Sequence, residues 1–472
     1  MNRLQFIRLL GTAFAGATLA PHLIACSSEK KSSEPDNNDA EALAQKALAA
    51  DVERPVTVVI LGAGSRGKIY AAYAEQFPQC MKVVGVADIN EFRKTQMAEK
   101  HNIPAEAQFG DWSEAIAAGK IADAVVISLP DDLHYKPCME ALELGYDVLL
   151  EKPVAQTEAE CVAIRDKANE KGAIVGVCHV LRYAPYFLAM KAIIDSGAIG
   201  KLVSIQHLEP FQYAHMAHSY VRGNWHDSKA TTPIILAKSC HDLDILRWMV
   251  GKPCKSIAAY GSLSYFTHEN RPEGATARCN DGCPHEATCP YSAEDIYVRK
   301  GWHLGVFDNL PPKAEKEARA DKIREYLKTT NYGRCVFDMD NDQPDHYVCA
   351  MEFEDGITAS FSMEAFMANG GRRTRVMGTH GEIDGDMKRF VMKNFRTGEA
   401  TEWDASTVQE VAAYASHGHG GGDLGLARDF VNAVGHHDAG RLSSDINVSM
   451  ESHLMGFAAE KSRLGEGKQR LG

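Results

Sequence analysis

Three glycines near residue 60 have the spacing of a loop that binds phosphate groups. Gly62, Gly64 and Gly67 match the pattern G-x-G-x-x-G, with Ser65 and Arg66 between the last two. In such a loop the first glycine permits a tight turn, the second lets the backbone approach a pyrophosphate, and the third allows close helix packing. The N-terminus of the following helix would face the negative charge. The loop therefore predicts a dinucleotide site.

An acidic residue follows the glycine loop at the distance expected for contact with the adenosine ribose. Asp88 lies 21 residues beyond Gly67, and a carboxylate there would bind the ribose hydroxyls and repel a 2′-phosphate. This favours NAD over NADP. Arg93, five residues later, leaves two alternatives open: it could swing onto a phosphate, or it could be a solvated helix residue.

The elements around these residues alternate between strands and helices. Apolar runs at residues 56–62, 81–87, 124–129 and 147–150 have the length of strands buried in a parallel sheet, and helical stretches separate them. This order predicts an α/β fold with a doubly wound Rossmann sheet.

Polar residues follow two of these predicted strands. Pro130 and His134 follow the strand that ends at Leu129, and Glu151 and Lys152 follow the strand at 147–150. Ligands of open parallel sheets bind at the carboxyl ends of strands, so these residues are predicted to contact the cofactor. The alternatives are that His134 simply begins a helix and that Lys152 is a surface lysine.

Together these motifs resemble those of the glucose-fructose oxidoreductase, inositol dehydrogenase and MocA family. The resemblance covers residues 55–260 well and is looser beyond them. It rests on the glycine loop, Asp88, the turn at 130–134, Glu151-Lys152-Pro153, the segment 179–185 and the segment 239–244.

The resemblance implies both a fold and an activity. It implies a second α/β lobe with an open, mostly antiparallel sheet that packs against another subunit, giving a homodimer or homotetramer. It also implies a tightly held NAD(P) and hydride transfer at a sugar, glycoside or cyclitol carbon. Lys152 and His241 match the family's catalytic lysine and histidine. His241 would then take the hydroxyl proton while Lys152 orients the hydroxyl.

The chain departs from the family pattern beside the histidine. Many members carry an aspartate four residues before it, where this chain has Ala237, followed by Lys238. Lys238 is therefore a candidate for contact with substrate and for a catalytic role. Tyr183 and Trp225 are further candidates for substrate binding. Asp244 is a substrate ligand, an orienting group or a helix N-terminal acid.

The composition limits the possible partners. A chain of 472 residues predicts two lobes, and 45% hydrophobic and 24% charged residues are ordinary globular values. The net charge of −12, with no dense basic run, argues against nucleic acid as a partner. A small neutral or cationic ligand is more consistent with this charge, and the resemblance implies that it is a carbohydrate or cyclitol.

The N-terminal segment has the features of an export signal. Arg3 and Arg8 precede an apolar run that is too short for a comfortable membrane span, and Leu23-Ile24-Ala25-Cys26 resembles a lipobox. We therefore expect an exported lipoprotein, periplasmic or at the cell surface, anchored to the membrane through Cys26. A plain signal peptide with a chance cysteine is the alternative, and the export route, Sec or twin-arginine, stays open.

These features divide the chain into four parts. We assign residues 1–26 to the signal peptide with its lipobox, 27–51 to a flexible tether and 52–178 to the NAD-binding domain. Residues 179–472 form the substrate-binding and oligomerisation domain, with a cysteine-containing insertion at about 266–344.

The insertion contains Cys279, Cys283 and Cys289. In an exported protein a disulfide that staples this segment is the leading interpretation, with zinc or free thiols as alternatives. The spacing is not that of a standard zinc site, so no metal is assigned.

Three functions remain open. The first is an NAD-dependent sugar or cyclitol oxidoreductase with a retained cofactor, since free NAD is scarce outside the cytoplasm. The second is an NAD-dependent glycosidase that oxidises a sugar, eliminates the aglycone and returns the hydride. The third is a non-catalytic sugar-binding lipoprotein with a vestigial cofactor site.

Overall fold

The computed structural model describes residues 45–415 and 417–471, apart from the side chains of Gln409 and Glu410. The predicted signal peptide, the lipobox and most of the predicted tether lie outside these residues.

The first lobe is built on a six-stranded parallel sheet, with strand order β3-β2-β1-β4-β5-β6. Every residue of the central strand β4 is buried, which explains its continuous apolar sequence. The predicted Rossmann sheet is confirmed. Its strands are β1 (Val56–Leu61), β2 (Met81–Ala87), β3 (Gln108–Phe109), β4 (Ala124–Ile127), β5 (Asp147–Leu150) and β6 (Val175–Val177).

Five helices connect these strands. Local sequence fixes their first residues: the Asn90 side chain accepts a hydrogen bond from the Arg93 backbone, and Thr157 and Glu160 form a capping box. The helices are α1 (Ser65–Gln76), α2 (Glu91–His101), α3 (Trp112–Ala117), α4 (Tyr135–Glu143) and α5 (Glu158–Lys171).

The C-terminal part of the chain returns to complete this first lobe. The Val177 backbone in β6 donates a hydrogen bond of 2.9 Å to the Ser444 carbonyl. A side chain at Gly435 would lie 2.5 Å from Val52, so this helix touches the start of the lobe. The two terminal helices, α12 (Gly422–His436) and α13 (Ile446–Lys461), therefore add a layer to the nucleotide sheet.

The second lobe contains a nine-stranded sheet, with order β14-β13-β12-β11-β7-β10-β9-β8-β15. Strands β7 and β10 pair parallel and every other described pair is antiparallel, so the mostly antiparallel sheet is confirmed. Buried and exposed residues alternate along β9, so one face of the sheet packs on the core. The strands are β7 (Leu202–Gln212), β8 (Cys254–Ser262), β9 (His346–Phe353), β10 (Thr358–Met367), β11 (Arg373–Gly378), β12 (Gly381–Gly385), β13 (Arg389–Asn394), β14 (Ala400–Asp404) and β15 (Gln469–Arg470).

Further helices cover the buried face and border the cleft between the lobes. In the part of the chain that the structure describes, none is long and apolar enough to cross a membrane. The helices of this lobe are α6 (Pro185–Ser196), α7 (Tyr213–Met216), α8 (Ile234–Ala237), α9 (Cys240–Val250), α10 (Lys316–Thr329) and α11 (Gln409–Ala412). Short helical turns lie at Val180–Tyr183, Ala217–Arg222 and Gly418–Gly421.

The insertion lies between β8 and β9 and carries no disulfide. All the cysteines that the structure describes are free thiols, including Cys279, Cys283 and Cys289, so the disulfide expected to staple this segment is not formed. Hydrogen bonds hold the segment instead. The Cys279 backbone donates to the Gly333 carbonyl at 3.0 Å, and the buried Arg222 guanidinium donates to the Arg334 carbonyl at 2.7 Å.

Candidate active site

The glycine loop follows β1 directly, and two of its glycines are required by close approaches. Gly62 has φ of +94°, and a Cβ there would lie 2.6 Å from the Ser128 carbonyl oxygen. A Cβ at Gly67 would lie 2.1 Å from the Gly62 carbonyl oxygen. At Gly64, by contrast, the nearest protein atom to a Cβ is Arg93 Nη1 at 3.9 Å. The loop is therefore tightly packed on the protein side and open at Gly64.

The start of α1 has the features of an anion site. Ser65 is exposed, and the residue before it, Gly64, provides no side-chain cap for the helix. The first backbone N–H groups of a helix lack partners within the helix, and here they remain available to a phosphate. The residues present thus fit the pyrophosphate of a dinucleotide.

Asp88 directly follows β2, beside this loop. One carboxylate oxygen accepts a hydrogen bond from the Ala63 backbone at 2.7 Å, and the other accepts one from the Asn90 backbone at 2.7 Å. Each carboxylate oxygen can accept a second bond. Asp88 therefore shapes the loop and keeps acceptor capacity for ribose hydroxyls.

Arg93 lies in α2 and its side chain is held by an ion pair. Its guanidinium forms an ion pair with Asp308 of the insertion, with Nη2 3.0 Å from Oδ2. The Arg93 side chain is 29% exposed and that of Asp308 is 20% exposed. The sequence could not show this contact, because the two residues are 215 positions apart.

The loop after β4 borders the same edge of the sheet. Leu129 is half-buried and Pro130 is exposed there. The prediction that His134 contacts the cofactor is wrong, because the residue is buried and both ring nitrogens face backbone carbonyls. Its Nδ1 lies 2.6 Å from the Pro153 oxygen and its Nε2 lies 2.9 Å from the Leu129 oxygen. His134 instead fixes the two loops relative to each other.

Lys152 and Glu151 follow β5. The Lys152 ammonium donates a hydrogen bond of 2.6 Å to the Ala237 carbonyl, across the interface of the lobes. Glu151 is buried and accepts hydrogen bonds from Arg66 Nε at 2.5 Å and from the Tyr70 hydroxyl at 2.6 Å. Burial disfavours its charge, but the positive charges of Arg66 and Lys152 outweigh this effect and hold the pKa of Glu151 below its usual value.

The Arg66 side chain does not extend toward a phosphate. It lies between two buried carboxylates, that of Glu151 and that of Asp423, with Nη2 2.9 Å from Asp423 Oδ1. Glu151 is likewise occupied by Arg66 and Tyr70. The cofactor contact predicted for Arg66 therefore falls to its backbone N–H, and Glu151 acts as a positioning residue.

His241 lies in the first turn of α9 and is 5% exposed. Its Nδ1 is buried with no hydrogen-bond partner among the described residues. Burial, reinforced by the nearby positive charge of Lys152, lowers the pKa of His241 well below the usual value. The imidazole is therefore neutral at physiological pH, the state in which it can accept a proton.

Lys238 is part of a charged network rather than a free base. Its Nζ lies 3.1 Å from Glu209 Oε1 and 4.9 Å from the Phe211 ring centre. Glu209 also pairs with Arg372 at 2.9 Å, and Arg372 pairs with the buried Asp242 at 2.5 Å. Asp242 is thus the buried counter-ion of Arg372.

Two of the three predicted substrate ligands point into the core. Asp244 is 1% exposed, and Arg182 binds both of its oxygens at 2.6 and 2.7 Å. The Tyr183 hydroxyl is buried against Ser444 at 2.8 Å. Neither side chain can reach a substrate, so both predictions are wrong. Trp225 remains half-buried at the cleft, with its indole N–H 3.1 Å from the Asp131 carboxylate.

The structure adds two residues to the site that the sequence did not single out. The His419 ring lies 5.7 Å from that of His241, and its Nδ1 lies 3.1 Å from Asp423 Oδ1. Asp423 in turn binds Arg66. The sequence signal was the run at 416–423, which predicts either a flexible loop that could close over the site or a solvated turn. The run alone does not show that His419 lies near His241 or that Asp423 pairs with Arg66, because both contacts depend on the fold.

A histidine stack brings the insertion to the same cleft. His303 of the insertion stacks on His218 with ring centres 4.7 Å apart, and it lies 5.2 Å from His215. Burial, with the positive charge of neighbouring groups, lowers the pKa of His218 to about 3. Burial, with the charge of nearby Lys238, lowers the pKa of His215, so this stack lies beside the charged network of Lys238.

Two family models match most of the chain. One, described as an oxidoreductase family with an NAD-binding Rossmann fold, matches residues 56–179. The other, described as the C-terminal alpha/beta domain of an oxidoreductase family, matches residues 191–437.

Curated proteins resemble this chain at modest sequence identity. YteT of Bacillus subtilis (strain 168), named as an oxidoreductase, is 24% identical over 83% of this chain and 92% of its own length. The scyllo-inositol 2-dehydrogenase (NAD(+)) of the same organism is 28% identical over 45% of this chain and 59% of its own length. For this enzyme the match spans little more than half of the relative.

Solved structures share the fold. A levoglucosan dehydrogenase in complex with NADH and levoglucosan has a TM-score of 0.64 and 18% identity, and it covers 88% of this chain and 99% of its own. An inositol dehydrogenase homolog of Azotobacter vinelandii, complexed with NADH and myo-inositol, has a TM-score of 0.63 and 14% identity, covering 90% and 99%.

Proposed function

Because the chain belongs to this NAD-binding oxidoreductase family, we propose that it transfers hydride between NAD and a hydroxyl-bearing carbon of a sugar, glycoside or cyclitol. The family, the oxidoreductase class and the cofactor NAD predicted from the sequence are confirmed. The substrate class rests on what the relatives are named for, inositol and levoglucosan.

One observation carries the proposal: the buried His241 lies near enough to the Lys152 ammonium for that charge to add to burial in lowering the His241 pKa, and Lys152 follows β5 at the edge of the sheet where the glycine loop follows β1. NAD, when bound, supplies the hydride acceptor. His241 is placed to take the proton of the substrate hydroxyl, because its imidazole is neutral and unpartnered at Nδ1. Lys152 supplies a fixed positive charge that stabilises the developing alkoxide.

The test begins with purified protein lacking residues 1–44. Any bound dinucleotide is released by denaturation and identified by mass, and NADH formation is then followed with myo-inositol, levoglucosan and a panel of glycosides. Absence of bound dinucleotide, together with no binding of added NAD, would sink the proposal. Turnover that disappears in Lys152→Ala would exclude a non-catalytic sugar-binding protein.

A second candidate, an NAD-dependent glycosidase, is favoured by one specific feature. Oxidation, elimination and reduction require a second base to remove the proton next to the new carbonyl. His419 lies 5.7 Å from His241 and is oriented by Asp423, as that base would need to be. Product analysis separates the candidates: a dehydrogenase yields a keto product and NADH. The glycosidase adds water across the double bond left by the elimination, returns the hydride to the carbonyl carbon, and so yields free sugar with no net NADH.

We further propose that the protein is exported, anchored through a lipid on Cys26, and retains its cofactor through the catalytic cycle. The support is the N-terminal sequence, since Arg3 and Arg8 precede the apolar run and Cys26 ends the lipobox. Metabolic labelling with a fatty acid, compared between the full chain and Cys26→Ala, tests the anchor.

The open sheet supports a proposal of self-association. Tyr260 is 73% exposed and its cross-strand neighbour Val348 is 42% exposed, on the face away from the core. Exposed apolar residues on a sheet face are typical of an interface. We propose a homodimer or homotetramer through this face, and sedimentation of Tyr260→Lys against the wild type tests it.

A further inference from the structure

The insertion touches the nucleotide lobe at the adenosine end of the cofactor site. Within six residues it stacks His303 on His218 in the second lobe and places Asp308 against α2 of the first lobe. The Asp308 backbone carbonyl accepts a hydrogen bond of 2.7 Å from Tyr326 of α10, which fixes the segment. Residues 303–308, which we term the bridging segment, thus join the two lobes.

Asp308 meets two residues that follow the ribose-binding aspartate. Its carboxylate accepts a hydrogen bond of 2.9 Å from the Asn90 side chain, and Arg93 Nε lies 3.1 and 3.2 Å from its two oxygens. The backbone of Asn90 is itself bound to Asp88 at 2.7 Å. A second carboxylate therefore stands beside the one that would bind the ribose.

Arg93 would be the natural ligand of a 2′-phosphate if it were free. It lies five residues beyond Asp88, and its Nη1 would lie 3.9 Å from a Cβ at Gly64, so the guanidinium reaches the open side of the glycine loop. An arginine close to this acidic position is what accommodates the 2′-phosphate of NADP in Rossmann folds. Here Asp308 neutralises and holds that guanidinium.

We propose that Asp308 of the bridging segment is a specificity-determining residue that keeps Arg93 away from a 2′-phosphate and so selects NAD against NADP. This deepens the proposed function and rests on its cofactor assignment. Selection is then divided between two carboxylates: Asp88 repels the 2′-phosphate from the nucleotide lobe, and Asp308 withholds the arginine that could bind it.

The test compares cofactor affinities in a set of matched variants. Dissociation constants for NADH and NADPH are measured by fluorescence titration for the wild type, Asp308→Asn, Arg93→Ala and the double variant. Asp308→Asn keeps the side-chain shape and removes the charge. We expect it to tighten NADPH binding about tenfold, since a charge-assisted contact becomes available, with NADH changed less than about threefold.

Two controls make the result specific. In the Arg93→Ala background the Asp308→Asn change should leave the NADPH affinity unaltered. Glu294→Gln removes another insertion carboxylate, which pairs with Arg324 at 2.7 Å, and should not change the NADH to NADPH ratio.

The outcomes are distinguishable. An Asp308→Asn variant whose NADPH affinity stays within twofold of the wild type overturns the assignment, as does an equal gain without Arg93. In both cases NADH still binds and the proposed function stands. A wild type that binds neither dinucleotide overturns the proposed function and this inference together.

Discussion

The Lys152 ammonium donates a hydrogen bond of 2.6 Å to the backbone carbonyl of Ala237. Ala237 stands at the position where the resemblance in sequence implies an aspartate. The lysine therefore bonds to a neutral acceptor there, and its charge is balanced by the adjacent buried Glu151. The hydrogen bond to Ala237 uses one of the three N–H donors of the ammonium, and the others can donate to a substrate oxygen.

The first prediction concerns Lys152 itself. Lys152→Ala should lower kcat by about 100-fold or more, because an electrostatic contact to the developing alkoxide is lost. NADH affinity should change little, since the pyrophosphate and ribose contacts lie elsewhere. Steady-state kinetics with the best substrate measure this, and Lys136→Ala, a largely exposed lysine of the same lobe, should leave kcat unchanged.

The second prediction concerns the pH dependence that His241 imposes. Its active form is the neutral base, and its pKa is lowered well below 6.5. As pH falls through 6.5, kcat/KM should therefore stay level, and it should decline only at lower pH, where the imidazole becomes protonated. A decline centred at or above pH 6.5 that disappears in His241→Gln would contradict the neutral, buried state.

The third prediction separates binding from folding within the glycine loop. At Gly64 a methyl group meets no protein atom closer than 3.9 Å, so Gly64→Ala should keep the melting temperature but obstruct the pyrophosphate. We expect the NADH dissociation constant to rise about tenfold. Gly67→Ala places a methyl group 2.1 Å from the Gly62 oxygen and should also destabilise the fold by about 2 kcal/mol. Equal melting temperatures for the two variants would argue against the loop geometry.

The fourth prediction concerns Asp423, which joins His419 to Arg66. Asp423→Asn leaves the Arg66 charge without one of its buried partners, and the free energy of unfolding should fall by about 3 kcal/mol. Asp438→Asn, at an exposed pair with Arg441, should cost less than about 0.5 kcal/mol. Urea unfolding at pH 7 compares the two.

The same variant has a defined pH dependence. Burial raises the pKa of Asp423, but His419 and Arg66 outweigh this and hold it well below 3.8. The stabilisation is then complete above about pH 4 and is lost as pH falls toward the folded-state pKa. The difference between wild type and Asp423→Asn should shrink below pH 4, and a constant difference would refute the ion-pair assignment.

Features with local causes could be predicted from the sequence. A contiguous pattern of strand, turn and helix predicts the glycine loop and Asp88. The same kind of pattern places Lys152 in the loop that directly follows a strand. The parallel sheet follows from the same apolar runs. These predictions needed no knowledge of the second lobe.

Features that depend on distant packing could not be predicted. Asp244 and Asp242 lie two positions apart beside His241, yet both are buried on arginines, Arg182 and Arg372, that the sequence does not connect to them. A polar residue beside a catalytic motif has the same sequence signature whether it faces cleft or core. The roles of His419 and Asp308 could not be predicted either, because His241 and Arg93, the residues that they approach, are far from them in sequence.

Because the C-terminal helices pack on the nucleotide sheet, the first lobe can complete its packing only after the C-terminal part of the chain has been synthesised. Arg66 is translated 357 residues before Asp423, its ion-pair partner. The backbone hydrogen bond from Val177 of β6 likewise forms only after Ser444 has been synthesised. When all the strands of the nucleotide sheet have left the ribosome, the two C-terminal helices that pack on this lobe have not yet been synthesised. The glycine loop therefore acquires its final surroundings only after the two C-terminal helices have left the ribosome.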